Sequence, residues 1–458
     1  MSAACQQSVQ DPNPNSAPKS SVTTLRRLFG SVFAVQMSLR LFALPAALVT
    51  TLILSKTLEP AQFGSYAYVL AWSSILVVVA TMGFDGFLVR EISVSYARRE
   101  WGLLRGLVSG PARVTGMASL ALCALGCAAP LWLPLINGNS ELVMQVLFGF
   151  LLAPVSAMRQ IYRSTMQGLQ RPLMGFVPEL LVQPLAMLLL TAIAAIATHG
   201  RLTSLQAVIF QFLSGALALV VGHQLMRNSL PSEIDSVSQR TEYRRWIRGA
   251  MPFLLSQLIF LANEKLSMLT LGMTADFRDV GAYALASSLA MLMVLPLFTM
   301  NTVISGRIAH LHTIGDRAEL QKQLTSAVKI CVLLAAPIAL IEILCPDRLL
   351  GFFREDFTVG SAALRILAVG QFFNIASGSV GVVLMMSGHS RDTMIATALS
   401  TAIGLVCCVL LIPPFGTVGA AIAQSAGVIA FNAILVVRVR QLLRIDTTIL
   451  STFQSQRS

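Results

Sequence analysis

The chain has 458 residues, 55% of them apolar and only 12% charged, with a formal net charge of +12 at pH 7. Soluble domains carry about 25% charged residues, and a mean hydropathy of +0.72 leaves too little polar surface to face water. A soluble enzyme and a nucleic-acid-binding domain are excluded, and the basic excess is what the cytoplasmic loops of a polytopic membrane protein require.

Residues 1–24 are polar and rich in Ser, Pro, Asn and Gln, which predicts a disordered cytoplasmic tail with no secretory signal. Twelve apolar windows of about 20 residues follow, each long enough to cross about 30 Å of hydrocarbon. The first six are expected near 31–54, 65–87, 108–130, 141–163, 173–197 and 203–225, and the second six near 249–272, 280–304, 325–345, 361–386, 393–412 and 417–437. The predicted fold is all-α: two six-helix lobes related by a pseudo-two-fold axis along the membrane normal. The lobes are assigned to 25–225 and 249–440, with a cytoplasmic linker at 226–248 and a cytoplasmic tail at 441–458. With both termini inside, Arg26, Arg27, Arg90, Arg98, Arg99, Arg240, Arg244 and Arg245 fall on the cytoplasmic side. Only Lys56, Arg201, Arg278, Arg348, Arg354 and Arg365 fall outside, the asymmetry that sets orientation.

One short pattern occurs twice. "FGSYAYVLAW" enters span 2 with Gly64, Tyr66 and Ala67; "VGAYALASSL" enters span 8 with Gly281, Tyr283 and Ala284, 217 residues later without a gap. Duplication of a six-span unit accounts for the offset and makes the two halves parallel repeats around a central path. Glycine permits close backbone approach, and tyrosine at a helix mouth suits the headgroup layer.

Charges inside a span cost roughly 2.5–3.5 kcal/mol on insertion scales and call for a function or a partner. Arg40 lies well inside span 1 on a face with Gln36, Ala43, Ala47 and Thr50 or Thr51, a polar stripe suited to a wet cavity or to an internal ion pair. Span 7 carries Asn263, Glu264 and Lys265. Gln257, Asn263 and Glu264 share one stripe, and Lys265 lies about 100° round from it, placed either to line the cavity or to snorkel. Glu179 between Pro178 and Pro184 in span 5 is a further lining candidate; Arg113 in span 3 is placed either to line the cavity or to snorkel, and Asn374 in span 10 either to line it or to pack against a neighbouring helix. Asp85 and Arg90 are expected to pair at the inner end of span 2, and Glu342 to sit at an interface.

No Walker loop, GxSxG or zinc-ligand spacing occurs, so no catalytic residue, metal site or cofactor is expected. Six of the seven cysteines lie in or beside apolar runs and read as small hydrophobes rather than as disulfide partners.

Several blocks carry a resemblance: "LEPAQFGSYAYVLAW", "MGFDGFLVREIS", "MQGLQRPLMGFVPELL", "DVGAYALASSLAMLMVLPLFTM", "LRILAVGQFFNIASGSVGVVLMMSGHSRDTM" and "IPPFGTVGAAIAQSAGVI". In this order the chain resembles polysaccharide-exporting flippases of the multidrug/oligosaccharidyl-lipid/polysaccharide (MOP) superfamily, close to the Wzx-type O-antigen flippases. The resemblance implies alternating access in a bacterial inner membrane and an undecaprenyl-pyrophosphate-linked oligosaccharide as substrate. It also implies a basic cavity that Arg40 suits, and association with other membrane proteins of polysaccharide assembly. Many relatives carry Asp in span 7 where this chain has Glu264; the coupling ion, a proton or sodium, is left open. Three other readings stay in view: an organic-cation exporter of the same superfamily, a membrane glycosyltransferase or ligase, and a non-transporting scaffold.

Overall fold

The computed structural model describes residues 43–132, 140–234 and 236–450, and every regular element in them is helical. In order these are α1 (Ala43–Thr57), α2 (Pro60–Thr81), α3 (Phe84–Ala97), α4 (Trp101–Trp132) and α5 (Ser140–Gly168). Next come α6 (Pro172–Val177) and α7 (Gln183–Ala197), joined by a π-turn over Pro178–Val182, and then α8 (Ser204–Ser229). The remainder comprises α9 (Tyr243–Thr274), α10 (Phe277–Leu292), α11 (Leu295–Ile314), α12 (Arg317–Leu344) and α13 (Pro346–Phe353). It ends with α14 (Ser361–Ser377), α15 (Val380–Met386) and α16 (Ser390–Leu443).

Among the described residues eight helices are long and apolar enough to cross a membrane, and nine if α10 and α11, bent by 46°, form one span. Three further crossings follow from the geometry. Helix α16 would be about 80 Å long if straight, at about 1.5 Å per residue. Yet Arg438 near its end forms an ion pair of 2.6 Å with Asp392 near its start. The chain therefore reverses at Pro413, Pro414 and Gly416, the last with φ 53° and ψ −123°, and α16 is a hairpin of two spans. Helix α9 has 32 residues, its hydropathy lowered by its arginines and by Glu264 and Lys265, and α1 is the described part of span 1. Among the described residues this makes twelve crossings, six in each half of the chain.

Several windows that read as continuous are broken. Span 2 divides between α2 and α3, where Met82 and Gly83 both have positive φ (48° and 74°), and Gly378 (φ 75°) divides α14 from α15. Hydropathy does not sense the sign of φ, so an apolar window runs through such breaks. The connection after α12 also contains structure that no window indicated, α13 and a 3-10 segment over Glu355–Gly360.

The two glycine-tyrosine entrances meet each other. A Cβ on Gly64 would lie 1.8 Å from the Phe277 carbonyl oxygen, and one on Gly281 2.3 Å from that of Pro60. Helices α2 and α10 thus cross backbone to backbone at the end where both begin. The same end is closed by Arg354, whose Nη1 donates to the Leu58 carbonyl at 3.0 Å, and by an edge-on Phe63–Phe357 contact at 5.6 Å. Tyr66 and Tyr283 are not headgroup-layer residues. They are 8% and 2% exposed, within the largest apolar core, and the Tyr283 hydroxyl donates to Gln424.

The chain before α9 is laid along α4. Arg105 Nη1 donates to the Val237 carbonyl at 2.7 Å, Gln239 to Ser109 at 2.8 Å, and the Arg240 N–H to the Gly102 carbonyl at 3.0 Å. Trp246, 2% exposed, packs beside it against Gly106 and Gly110.

Candidate functional site

A cavity of about 480 Å³ lies between the lobes, walled by α1, α2, the π-turn with α7, α8, α9 and α10. The first half contributes Thr50, Thr51, Ser74, Glu179, Gln183 and Gln211, and the second half Lys265, Ser287 and Ser288. Phe63, Tyr66, Leu70 and Met268 supply apolar wall. Polar side chains are thus interspersed with apolar ones, as a cavity that orients a ligand requires.

The π-turn explains how span 5 presents its polar residues. Pro178 and Pro184 lack an N–H, so the i→i−4 ladder loses bonds here. The Gln183 N–H reaches five residues back to the Pro178 carbonyl, the widened bond of a π-bulge, a feature common at functional sites. Glu179 and Gln183 face the cavity four residues apart, and α5 holds both from behind. Arg163 forms an ion pair with Glu179 through Oε2, and Arg159 donates to Gln183 Oε1. On the facing lobe Lys265 Nζ lies 2.8 Å from Glu264 Oε1. Lys265 is the only cation on the cavity wall among the described residues.

The sequence-predicted residues distribute as follows. Gln36 and Arg40 lie outside the described residues, as does the Asn263 side chain. Glu179 and Lys265 line the cavity; Glu264 touches it only through its ion pair with Lys265. Arg113 is exposed on α4, away from the cavity. Asn374 bonds Gln371 at 3.2 Å and accepts from Asn432 at 3.0 Å, fastening α14 to α16. Gln257 donates to Asp85, which also accepts from Gln160 at 2.9 Å. The expected Asp85–Arg90 pair does not form; Arg90 instead lies 4.0 Å from Glu91. Glu342 is 1% exposed rather than interfacial. No intramembrane charge marks Gln183 or Gln211 in the sequence, although Glu179 and Gln183 stand at helical spacing between two prolines in "PELLVQP".

Asp85 is 7% exposed and joins α3 to α9 across the lobes. A Gln257→Leu substitution removes one of its two amide partners, and leaving a buried charged acceptor short of a donor costs about 1–3 kcal/mol or more. The variant is expected to unfold at a lower temperature than the parent in detergent, and an unchanged midpoint would show that the bond contributes nothing to lobe contact.

This arrangement of twelve spans, two lobes and a central cavity is that of a transporter of the MOP superfamily. The chain belongs to the family described as polysaccharide biosynthesis protein, whose model matches residues 31–312. A second model, MatE, matches residues 252–410. Comparison with curated proteins returns no match. Among solved structures, an inward-facing multidrug resistance MATE family transporter aligns with a TM-score of 0.72 at 13% identity, covering 90% of this chain and 98% of that one. Lipid II flippase MurJ in an inward closed conformation aligns at 0.69 and 14% identity, covering 89% and 87%. An outward-facing MATE family transporter aligns at 0.59 and 14% identity, covering 90% and 93%.

Proposed function

We propose that this transporter translocates an undecaprenyl-pyrophosphate-linked oligosaccharide, an O-antigen or exopolysaccharide repeat unit, from the cytoplasmic to the periplasmic leaflet of a bacterial inner membrane. The observation that carries the proposal is the inter-lobe cavity in a chain of the polysaccharide biosynthesis family, with Lys265 on one wall and uncharged or ion-paired polar groups on the other. A glycan headgroup cannot enter hydrocarbon bare, because each unsatisfied polar group there costs several kcal/mol. A polar cavity carries the headgroup while the polyprenyl tail stays in lipid. The lysine ammonium supplies a point charge for the diphosphate.

Arg40 and Gln36 belong to this site in the proposal. In the sequence they stand at helical spacing from Ala47, Thr50 and Thr51, whose described side chains line the cavity. Charge asymmetry in the sequence supports cytoplasmic termini, and in that orientation the α2–α10 crossing, closed here, lies at the periplasmic end. The nearer match to the inward-facing than to the outward-facing transporter, 0.72 against 0.59, supports that direction. Residues 25–225 and 249–440 act as the rocking units and 226–248 as the cytoplasmic linker between them, and rocking uncovers the cavity on alternate sides.

Deletion of the gene is expected to leave a complete lipid-linked repeat unit on the cytoplasmic leaflet, read by mass spectrometry with a leaflet-resolved probe. Loss at an earlier sugar-addition step, or an unchanged glycolipid profile, would refute the proposal. The MatE match favours a second reading, export of organic cations. Heightened drug sensitivity in the deletion strain with normal glycolipids would select it.

A further inference from the structure

Three side chains on the first-half wall present hydrogen-bonding atoms that nothing else in the described structure uses. Glu179 gives Oε2 to Arg163, which leaves Oε1 as an acceptor. Arg159 donates to Gln183 and can only address its oxygen, so the two N–H bonds of Gln183 Nε2 remain. The Gln211 side chain has no partner among the described residues and offers both an acceptor and a donor. The set therefore reads acceptor, donor, and both, held on α8 and on a π-turn braced by two arginines.

We propose that Glu179, Gln183 and Gln211 form a sugar-reading subsite, which takes the glycosyl residue nearest the diphosphate; the inference rests on the function proposed above and deepens it. A sugar hydroxyl both donates and accepts, so neighbouring hydroxyls need a wall that does both at fixed spacing. The bracing matters because binding energy is lost when polar side chains must be ordered on binding. An organic cation is a poorer fit, since the Glu179 charge is already neutralised by Arg163. Phe63 and Tyr66 lie on the same cavity wall and can meet the C–H face of a pyranose ring. At about 480 Å³ the cavity is of the size that encloses a small-molecule ligand, so it holds one or two sugars with the diphosphate.

The test uses the full chain in lipid nanodiscs. The probes are farnesyl diphosphate, bare or carrying N-acetylglucosamine, glucose or galactose, and the readout is Kd. At least one glycosylated probe is expected to bind about 10- to 100-fold more tightly than the bare one, as two or three hydrogen bonds of ordinary strength allow. The double variant Gln183→Leu/Gln211→Leu is expected to bring that ratio to within about twofold of unity, with helical circular dichroism and a size-exclusion profile like the parent's showing that the protein is folded. Gln211→Met alone, which breaks no bond in the structure, is expected to lower the ratio about three- to tenfold. Retention of the ratio in these variants overturns the subsite. So does a parent protein that binds every glycosylated probe no better than the bare one, and that outcome leaves lipid-linked transport standing. Binding of no prenyl diphosphate at all overturns both.

Discussion

A Gly64→Val substitution is expected to abolish transport while leaving a protein that reaches the membrane. The first carbon added at Gly64 falls 1.8 Å from the Phe277 carbonyl oxygen and 2.7 Å from the Gly281 nitrogen. Both are backbone atoms of helix α10, so no flexible side chain can move aside. Overpacking costs about 1–3 kcal/mol even where side chains can give way, and here the lobes themselves must separate. A penalty of about 3 kcal/mol confined to the closed state shifts the lobe equilibrium more than 100-fold, and a carrier that must visit both states slows in proportion. The geometry also predicts a ranking among alanine variants. Gly64→Ala should be most harmful, Gly281→Ala with its contact at 2.3 Å next, and Gly116→Ala, with nothing within 4 Å, without effect. Glycan export in a complementation strain, beside size-exclusion profiles of tagged protein, measures the series. Full activity of Gly64→Val would mean that α2 and α10 do not cross at this distance during transport.

The second large effect is expected at Lys265. Its ammonium is held on one side by Glu264 and lies on the cavity wall. At about 4 Å and an effective dielectric of about 20, a unit charge pair interacts by about 4 kcal/mol. The lysine side chain is 31% exposed, and solvent screening reduces that figure to about 2–3 kcal/mol. Lys265→Met should therefore lower export of a diphosphate-linked glycan by about 30- to 100-fold, and Lys265→Arg, which keeps the charge, should retain most of it. Adding Glu264→Gln to Lys265→Met separates binding from structure. If Lys265 served only to neutralise Glu264, the double variant would recover; if it binds an anion, export stays low. Recovery would therefore remove Lys265 from the substrate site.

The span 7 residues show where sequence suffices and where it stops. A helical wheel correctly separates Glu264 from Lys265 by about 100°, but gives no indication of which direction faces the cavity. The stripe through Gln257 and Glu264 is the more polar, which predicts lining. In the structure Gln257 is turned to Asp85 on α3, while Lys265 and Met268 line the cavity. What decides between the directions is the packing of α9 against the other lobe, a long-range fact absent from local pattern. The same limit applies to Asp85. Arg90 is near in sequence, yet the amides that satisfy the carboxylate come from positions 160 and 257.

The span pattern and the paired entrances were legible because apolar length and an ungapped repeat are local properties. Breaks at Met82–Gly83 and Gly378 were not, since a residue with positive φ leaves hydropathy unchanged. Glu179 was visible as a charge between two prolines, but its arginine neighbours were not. Arg159 and Arg163 lie one helix earlier and reach it only once α5 packs behind the π-turn.

The α2–α10 crossing has a consequence for how such a chain can change over time. When a helical unit is doubled, its two copies can drift apart wherever each meets different neighbours. At this crossing each copy is the other's neighbour: Gly64 rests on the chain at Phe277, and Gly281 rests on the chain at Pro60. A bulky replacement in either half is opposed by the other, and no single compensating step makes room for it. The short motif shared by the two halves is thus a place where a change must satisfy both copies at once.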